Sequence, residues 1–580
     1  MNKELTKTLV DVNMGRKKAD LCLQNVQIVD VYNKEVFKGD VFIKDGYFCS
    51  CGGNDVIKAE KYVDCNGKYL VPGFIDAHCH IESSHLSPSE FSDAVVPRGT
   101  TTVIADPHEI CNVAGLDGMR YMLSSAKNAP LSIFFMFPSC VPATDFENAG
   151  AVLLAEDIEK LIDDERILGL GEMMNYPGLF FNDQKVLDKL ETAYKRGKNI
   201  DGHSPGIIGN ALDAYTAARI TTDHECETPE DLHERVRRGV YVMLREGTAC
   251  KNVLGLLPAV TKENSNRILF CTDDCQPQTI TTLGHVSNGI KLAIEHGLDP
   301  LYAISMASLN AATCYKLEDR GAIAPGLRAD CFLTDSLTKL DPLAVYIKGN
   351  LVAENGKILK KTPHAPLVKV AGMMNVKKLD KDIFKLHLKS DHVRVIRILP
   401  GGVVTKEEDA YIKRDSEGDF IHDENVDLLK VAVIERHHGT GNVGLALIRG
   451  YGMKRGAVAT SVAHDSHNII VVGSSNEEML LAVQELVKLG GGITVVKDGK
   501  LLGSLQHEIA GLMTDKPLDY VKEKLDELHE IAVKEISDKT DIDPFMTLCF
   551  MALPVIPEVK VTDLGLFNVS KFKLEPLEID

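Results

Sequence analysis

Two histidines one residue apart close the apolar run Leu70-Val-Pro-Gly-Phe-Ile-Asp-Ala-His-Cys-His80. On an extended strand, alternate side chains point to the same face, so His78 and His80 can share one metal ion. Further apolar runs end in residues of the same chemical kind: Asp106 and His108, then Glu172, His203, His224, and Asp273 with Asp274. His78, His80, His203, His224, Glu172 and Asp273 together exceed what one tetrahedral zinc needs. They suit two borderline metals bridged by a carboxylate, for which Glu172 is the candidate. A metal pair lowers the pKa of a shared water and aims the hydroxide at an electrophilic carbon. Asp273 is both a ligand type and a neighbour of that nucleophile, so it can accept the proton and pass it to a leaving group. His224 polarises the substrate instead if its ring is free of metal, and the sequence leaves both roles open. Taken singly, each of these residues is commonly structural; their coincidence with successive strand ends is what argues for a site.

Periodicity supplies the scaffold for these groups. Apolar runs at residues 69–78, 101–106, 132–137, 167–172, 199–203, 220–224, 241–245 and 267–273 alternate with amphipathic stretches such as 183–196, 229–238 and 287–296. Eight strand-helix units predict a closed parallel (β/α)8 barrel over 69–318, with catalytic groups at the C-terminal strand ends. An open doubly wound sheet is the alternative. Residues 20–65 alternate apolar and polar positions with turns between, as in short antiparallel strands. The stretch 319–365 returns to that texture, which would complete the same sheet and bring the ends of the barrel segment together. Residues 360–385 are rich in lysine and turn formers and read as a linker. From 388 to 580 a further α+β region is expected, with strands at 429–434 and 468–472 and helices at 476–489 and 520–536.

At 580 residues the chain is too long for one core. A net charge of −18 without a basic patch argues against nucleic acid or an anionic membrane as partner. The N-terminus lacks an apolar signal core and no run is long and apolar enough to span a bilayer, so a cytoplasmic location is expected. The fourteen cysteines contain no CxxC pair and read as reduced, mostly buried thiols.

The His-x-His pair, the carboxylate ending the fourth strand, the histidines ending the fifth and sixth, and Thr272-Asp273 resemble the amidohydrolase superfamily. Within it, Ile75-Asp-Ala-His-Cys-His-Ile-Glu-Ser-Ser84, Ala105-Asp-Pro-His-Glu-Ile110, Asp201-Gly-His-Ser-Pro-Gly206, Thr222-Asp-His-Glu225 and Cys271-Thr-Asp-Asp274 are similar to the bacterial adenine deaminases. The similarity continues through residues 436–444, 463–468 and 543–548. This resemblance implies a metal-dependent barrel with a flanking small β-sandwich built from residues 1–68 and 319–365, and a C-terminal domain typical of the subfamily. It implies hydrolysis of adenine to hypoxanthine and ammonia in purine salvage, with two manganese or iron ions, zinc being possible. Carried over by position, His78, His80, Glu172, His203, His224 and Asp273 form the ligand set. Adenine is the implied partner, in a homo-oligomer for which a dimer is favoured. Cys79 and His85 depart from the pattern, where an aliphatic residue and a methionine are expected.

Replacing the amine at adenine C6 also needs protons for a ring nitrogen and for departing ammonia. Glu82, Glu109 and Glu225 are unassigned carboxylates near strand ends, and Asp106, His108 and Asp274 are further candidate contacts to metal or substrate. The H-x-E with P-C-x-x-C signature of the small zinc nucleobase deaminases is missing. Gly439-Thr-Gly-Asn-Val-Gly444 fits a dinucleotide fingerprint, but residues 445–452 are strand-like and broken by glycines rather than helical. His437, His438, His464, Asp465 and His467 form either a structural cluster or a further metal site, in a region that could close over the barrel mouth and touch the purine. Two other functions compete: a cyclic-amide hydrolase or deacetylase of the same superfamily, and an inactive scaffold. The first usually carries a modified lysine on the fourth strand, where Glu172 stands here; the second would be expected to have lost a ligand.

Overall fold

The computed structural model describes residues 2–53, 56–536 and 542–579. Its centre is a ring of eight parallel strands: Phe74–His80, Thr100–Ala105, Ser132–Phe137, Ile167–Met173, Asn199–Gly202, Thr222–Asp223, Tyr241–Arg245, and Ile268–Cys271 continued by Asp273–Asp274. Parallel ladders run from the first strand to the fifth and from the sixth to the eighth. Asp273 and Asp274 pair with Cys79 and His80 and close the ring on one side. On the other side the fifth and sixth strands are joined by Thr221 N donating to Ile200 O at 2.7 Å. Helices Gln184–Lys195, Pro229–Arg237 and Val286–Glu295 stand within two residues of their expected limits. Their ends are legible in sequence: Asp183 caps the first, and Thr228 with Asp231 forms a capping box on the second.

The run expected as one strand over 69–78 is two. Tyr69–Pro72 lies in the flanking sheet, between Cys331–Thr334 and Ala19–Asp30, and only Phe74–His80 belongs to the barrel. The chain changes sheets at Gly73, where a Cβ would stand 2.2 Å from Thr101 Oγ1. Periodicity alone hides this break, because both halves are buried and apolar. The first barrel strand also changes phase. Ile75 and Ala77 pack inside the barrel with Ile104, Met136, Met243 and Leu269, over a floor made by Ala311, Ala312 and Tyr315. A register shift between Asp76 and Cys79 then turns the even positions inward, so that His78 and His80 take over the interior and Cys79 faces the outer core.

Residues on both sides of the barrel segment share one nine-stranded sheet that includes Ala19–Asp30, Glu35–Lys44, Tyr69–Pro72, Cys331–Thr334 and Ala344–Ile347. A bridge between Tyr47 and Arg328 brings one edge back to the other side, so Phe48 and Tyr346 join a common core with Leu21, Ile28 and Cys331. Residues 360–385 are mostly irregular, with one short turn at Lys381–Phe384. The C-terminal region is an eight-stranded sheet with Leu429–Ile434 between Val443–Arg449 and Ile469–Gly473. Helix Asn476–Leu489 packs on it through Met479, Ala482, Val483 and Leu486. Since Val443–Arg449 is a strand, Gly439–Gly444 opens no helix, and Gly444 abuts Thr562 O instead. All fourteen cysteines are free and twelve are buried. Among the described residues, no helix is long and apolar enough to cross a membrane.

Candidate active site

At the C-terminal strand ends the barrel opens into a cavity of about 360 Å³, within the range of small-ligand sites. Glu172 is at its centre. Its Oε1 lies 3.4 Å from His80 Nε2 and 3.3 Å from His108 Nδ1, and its Oε2 lies 3.0 Å from His203 Nδ1 and 3.2 Å from His224 Nε2. Asp273 Oδ1 is 3.1 Å from His80 Nε2 and 3.6 Å from His78 Nε2. The rings of His78 and His224 stack at 4.3 Å. Asp273 adopts a left-handed backbone (φ 57°), uncommon for a non-glycine residue. The fourth strand is held there by Asp106, whose Oδ2 accepts from Glu172 N at 2.9 Å. Asp106 fits only because residue 171 is glycine: a Cβ there would stand 2.1 Å from that oxygen.

The electrostatics reflect this packing. Burial opposes ionisation of Glu172 and Asp273, yet hydrogen bonds from His203 and His224 hold Glu172 well below the usual carboxylate range. The Arg245 guanidinium, with His78 and His80, does the same for Asp273. Burial and the neighbouring His224 push His78 down, toward the neutral form a metal ligand requires. His78 Nε2, His108 Nδ1 and Asp106 Oδ1 are buried with no hydrogen-bond partner. Groups of three ligand atoms within 4.8 Å of one another include His78, His224 and Asp273; His78, His80 and Glu172; and Glu172, His203 and His224. Burial opposes protonation of His80, His203 and His224 as well, but the buried carboxylates push these three up instead, so without a cation these imidazoles carry the balancing charge. Ionised carboxylates, clustered imidazoles and orphaned ligand atoms converging on one volume are what two divalent cations would satisfy.

The structure also sorts the remaining candidates. Glu82 is buried but does not line the cavity; its Oε1 accepts from Ile110 N at 3.2 Å. Glu225 does line it and is bonded to Arg245, which also reaches Asp273 Oδ2 at 2.8 Å. Glu109 lines the wall and shares Ser83 Oγ with Asp274: the hydroxyl is 3.2 Å from Glu109 Oε1 and 2.5 Å from Asp274 Oδ1. Burial and the charge of Glu82 push the Glu109 carboxyl up. His437 and His438 bond to the carbonyls of Ser466 and Ala149 at 2.7 and 2.9 Å, so these two are structural. His464 and Asp465, by contrast, line the cavity, and His467 Nε2 is 3.9 Å from Glu109 Oε2. Cys79 faces away from the site, and His85 stacks on His507 at 4.8 Å.

Several residues that shape the site carry no legible signal in the sequence. Arg245 ends the seventh strand, where an arginine reads as solvated. The cavity mouth is apolar and built from Val403, Val404, Leu553, Val555 and Ile556 of the C-terminal region, with Phe550 stacked on His464 at 4.9 Å. Nothing local marks those positions, because they meet the barrel only in the tertiary fold.

Comparison with known proteins agrees with the geometry. Residues 69–378 match the amidohydrolase family, and residues 402–573 match the adenine deaminase C-terminal domain. The chain is 49% identical to adenine deaminase 2 of Desulfotalea psychrophila over all of both chains. It is 48% identical to an adenine deaminase of Nitratidesulfovibrio vulgaris over 98% of both, and 46% identical to that of Ligilactobacillus salivarius over all of both. Strand-end ligands, full-length identity and the matching C-terminal domain agree: this chain belongs to the amidohydrolase family, in its adenine deaminase branch.

Proposed function

We propose that this protein hydrolyses adenine to hypoxanthine and ammonia, and that His78, His80, Glu172, His203, His224 and Asp273 would hold two divalent metal ions, manganese or iron. The observation that carries the reading is the convergence of these six side chains, from five strand ends, around Glu172 at the floor of a buried cavity. The metals, when bound, supply a water acidified to near neutral pH.

The chain's own groups do the rest. Asp273 Oδ1, beside His78 and His80, takes the proton of the attacking water, and Arg245 fixes the carboxylate's orientation through Oδ2. Of the three unassigned glutamates, Glu225 is held ionised by Arg245 and Glu82 is out of reach of the cavity. Glu109 is the one that lines the wall without a guanidinium or ammonium beside it. Ser83 has one hydroxyl proton for two carboxylates, so a proton on Glu109 satisfies the pair, and Glu109 can deliver it to a ring nitrogen. The apolar mouth excludes bulk water and offers faces for a planar base. Water adds at C6, Asp273 passes the proton it took to the amine, the C6–N6 bond breaks and ammonia leaves, and the second water proton returns to Glu109 as the C6 carbonyl forms.

Protein loaded in turn with manganese, iron and zinc should release ammonia from adenine and form hypoxanthine. Absence of turnover across all three would sink the proposal. Asp273→Asn should lose turnover by at least about a hundredfold with its fold intact, and retained activity would remove Asp273 from the mechanism.

A further inference from the structure

Asp465 reaches the cavity from the C-terminal sheet, on the loop between Ala457–Thr460 and Ile469–Gly473. It is 3% exposed, and its Oδ2 is buried with no hydrogen-bond partner. Its Oδ1 is 3.7 Å from His108 Nε2, beyond hydrogen-bond length. Among the described residues, the other buried or half-buried carboxylates of the cavity wall each have an engaged oxygen, although Glu109 Oε2 is, like Asp465 Oδ2, buried without a partner. Glu172 meets His203 and His224, Asp273 and Glu225 meet Arg245, and Asp274 and Glu109 share Ser83. A buried carboxylate oxygen without a donor is costly unless a ligand supplies one.

The loop that carries Asp465 is tied down on both sides. His437 Nε2 bonds Ser466 O at 2.7 Å, Arg436 Nε bonds His467 O, and Ala463 N donates to His467 Nδ1 at 3.1 Å. His437 and His467 therefore help to hold this acceptor in place. With C6 against Glu172 and Asp273, the amine of adenine is at the reacting end and departs. The N–H that adenine keeps throughout the reaction is that of its five-membered ring.

We propose that Asp465 accepts the imidazole-ring N–H of adenine and is the residue that selects the free base over purines substituted at that ring. The inference rests on the deaminase reading above. Its probe is 9-methyladenine, which carries no ring N–H. For Asp465→Ala, kcat/KM on adenine should fall about tenfold to a hundredfold, the size of one charge-assisted hydrogen bond. The preference for adenine over 9-methyladenine should shrink by a similar factor, with two metals per chain retained. Asp465→Asn keeps an acceptor oxygen and the side-chain shape, and should give an intermediate ratio. Equal losses on both substrates, an unchanged preference, or loss of metal in the variants would overturn the assignment. Calorimetric Kd values for adenine and 9-methyladenine read the same ratio without turnover, so failure of the wild-type reaction would count against the deaminase reading and leave the Asp465 test standing.

Discussion

Replacing Arg245 with methionine removes the cation shared by Asp273 and Glu225 while keeping most of the side-chain volume. In the folded protein the guanidinium is 6% exposed, bonds Glu225, and lies 2.8 Å from Asp273 Oδ2. Breaking a buried charge pair from one side costs about 3–5 kcal/mol, so stability should fall by about that much, less what the histidines or bound metals offset. For the reaction, Asp273 loses the bond that orients it. One charge-assisted hydrogen bond is worth about 1.5–3 kcal/mol, which corresponds to about a 10- to 150-fold loss in kcat. Ammonia release at saturating adenine reads the rate, denaturant unfolding reads stability, and elemental analysis reads metal content. Arg245→Lys keeps the charge without the fork, and should recover part of the rate only. If Arg245→Met turned over within twofold of wild type with stability and metals unchanged, the idea that Arg245 aligns the base would be refuted.

Two further substitutions test how the site is supported. Gly171→Ala places a methyl 2.1 Å from Asp106 Oδ2 and must displace the carboxylate that holds Glu172 N; metal affinity should drop about 10- to 100-fold, and an unchanged metal titration would show that Asp106 is dispensable. His85 is buried against His507 and burial pushes its pKa to about 4, below the ordinary value of 6.5. Its folded pKa is depressed, so its contribution to stability is complete above pH 6.5 and is lost as pH falls toward 4, about 3 kcal/mol in all. His85→Met should therefore flatten the loss of unfolding free energy between pH 6.5 and 4; equal slopes in the two proteins would exclude His85 as its source.

The candidate ligand set is legible in the chain because barrel strands are short, apolar and sharply ended. A polar residue straight after such a run falls at the cavity end of the barrel, so spacing points to His78, His80, Glu172, His203, His224 and Asp273 as a group, although the register shift between Asp76 and Cys79 is what turns the first two inward. Helix limits are equally visible through capping residues such as Asp183 and Thr228. The sheet change at Gly73 is not, since two buried strands joined by one glycine have the periodicity of a single one. Glu82 and Glu109 look equivalent in sequence. Their separation depends on which faces the cavity and which accepts from Ile110 N.

Ligand type and strand-end register are local properties, and for that reason the chemistry of this protein is written in its amino-acid order. The surroundings of that chemistry are set by long-range packing alone. Arg245 becomes the clamp on Asp273, and Asp465 with the apolar mouth comes to the candidate metal site from well over a hundred residues away in the chain. Such contacts have no periodicity to betray them: they exist because the C-terminal sheet packs across the barrel's open end.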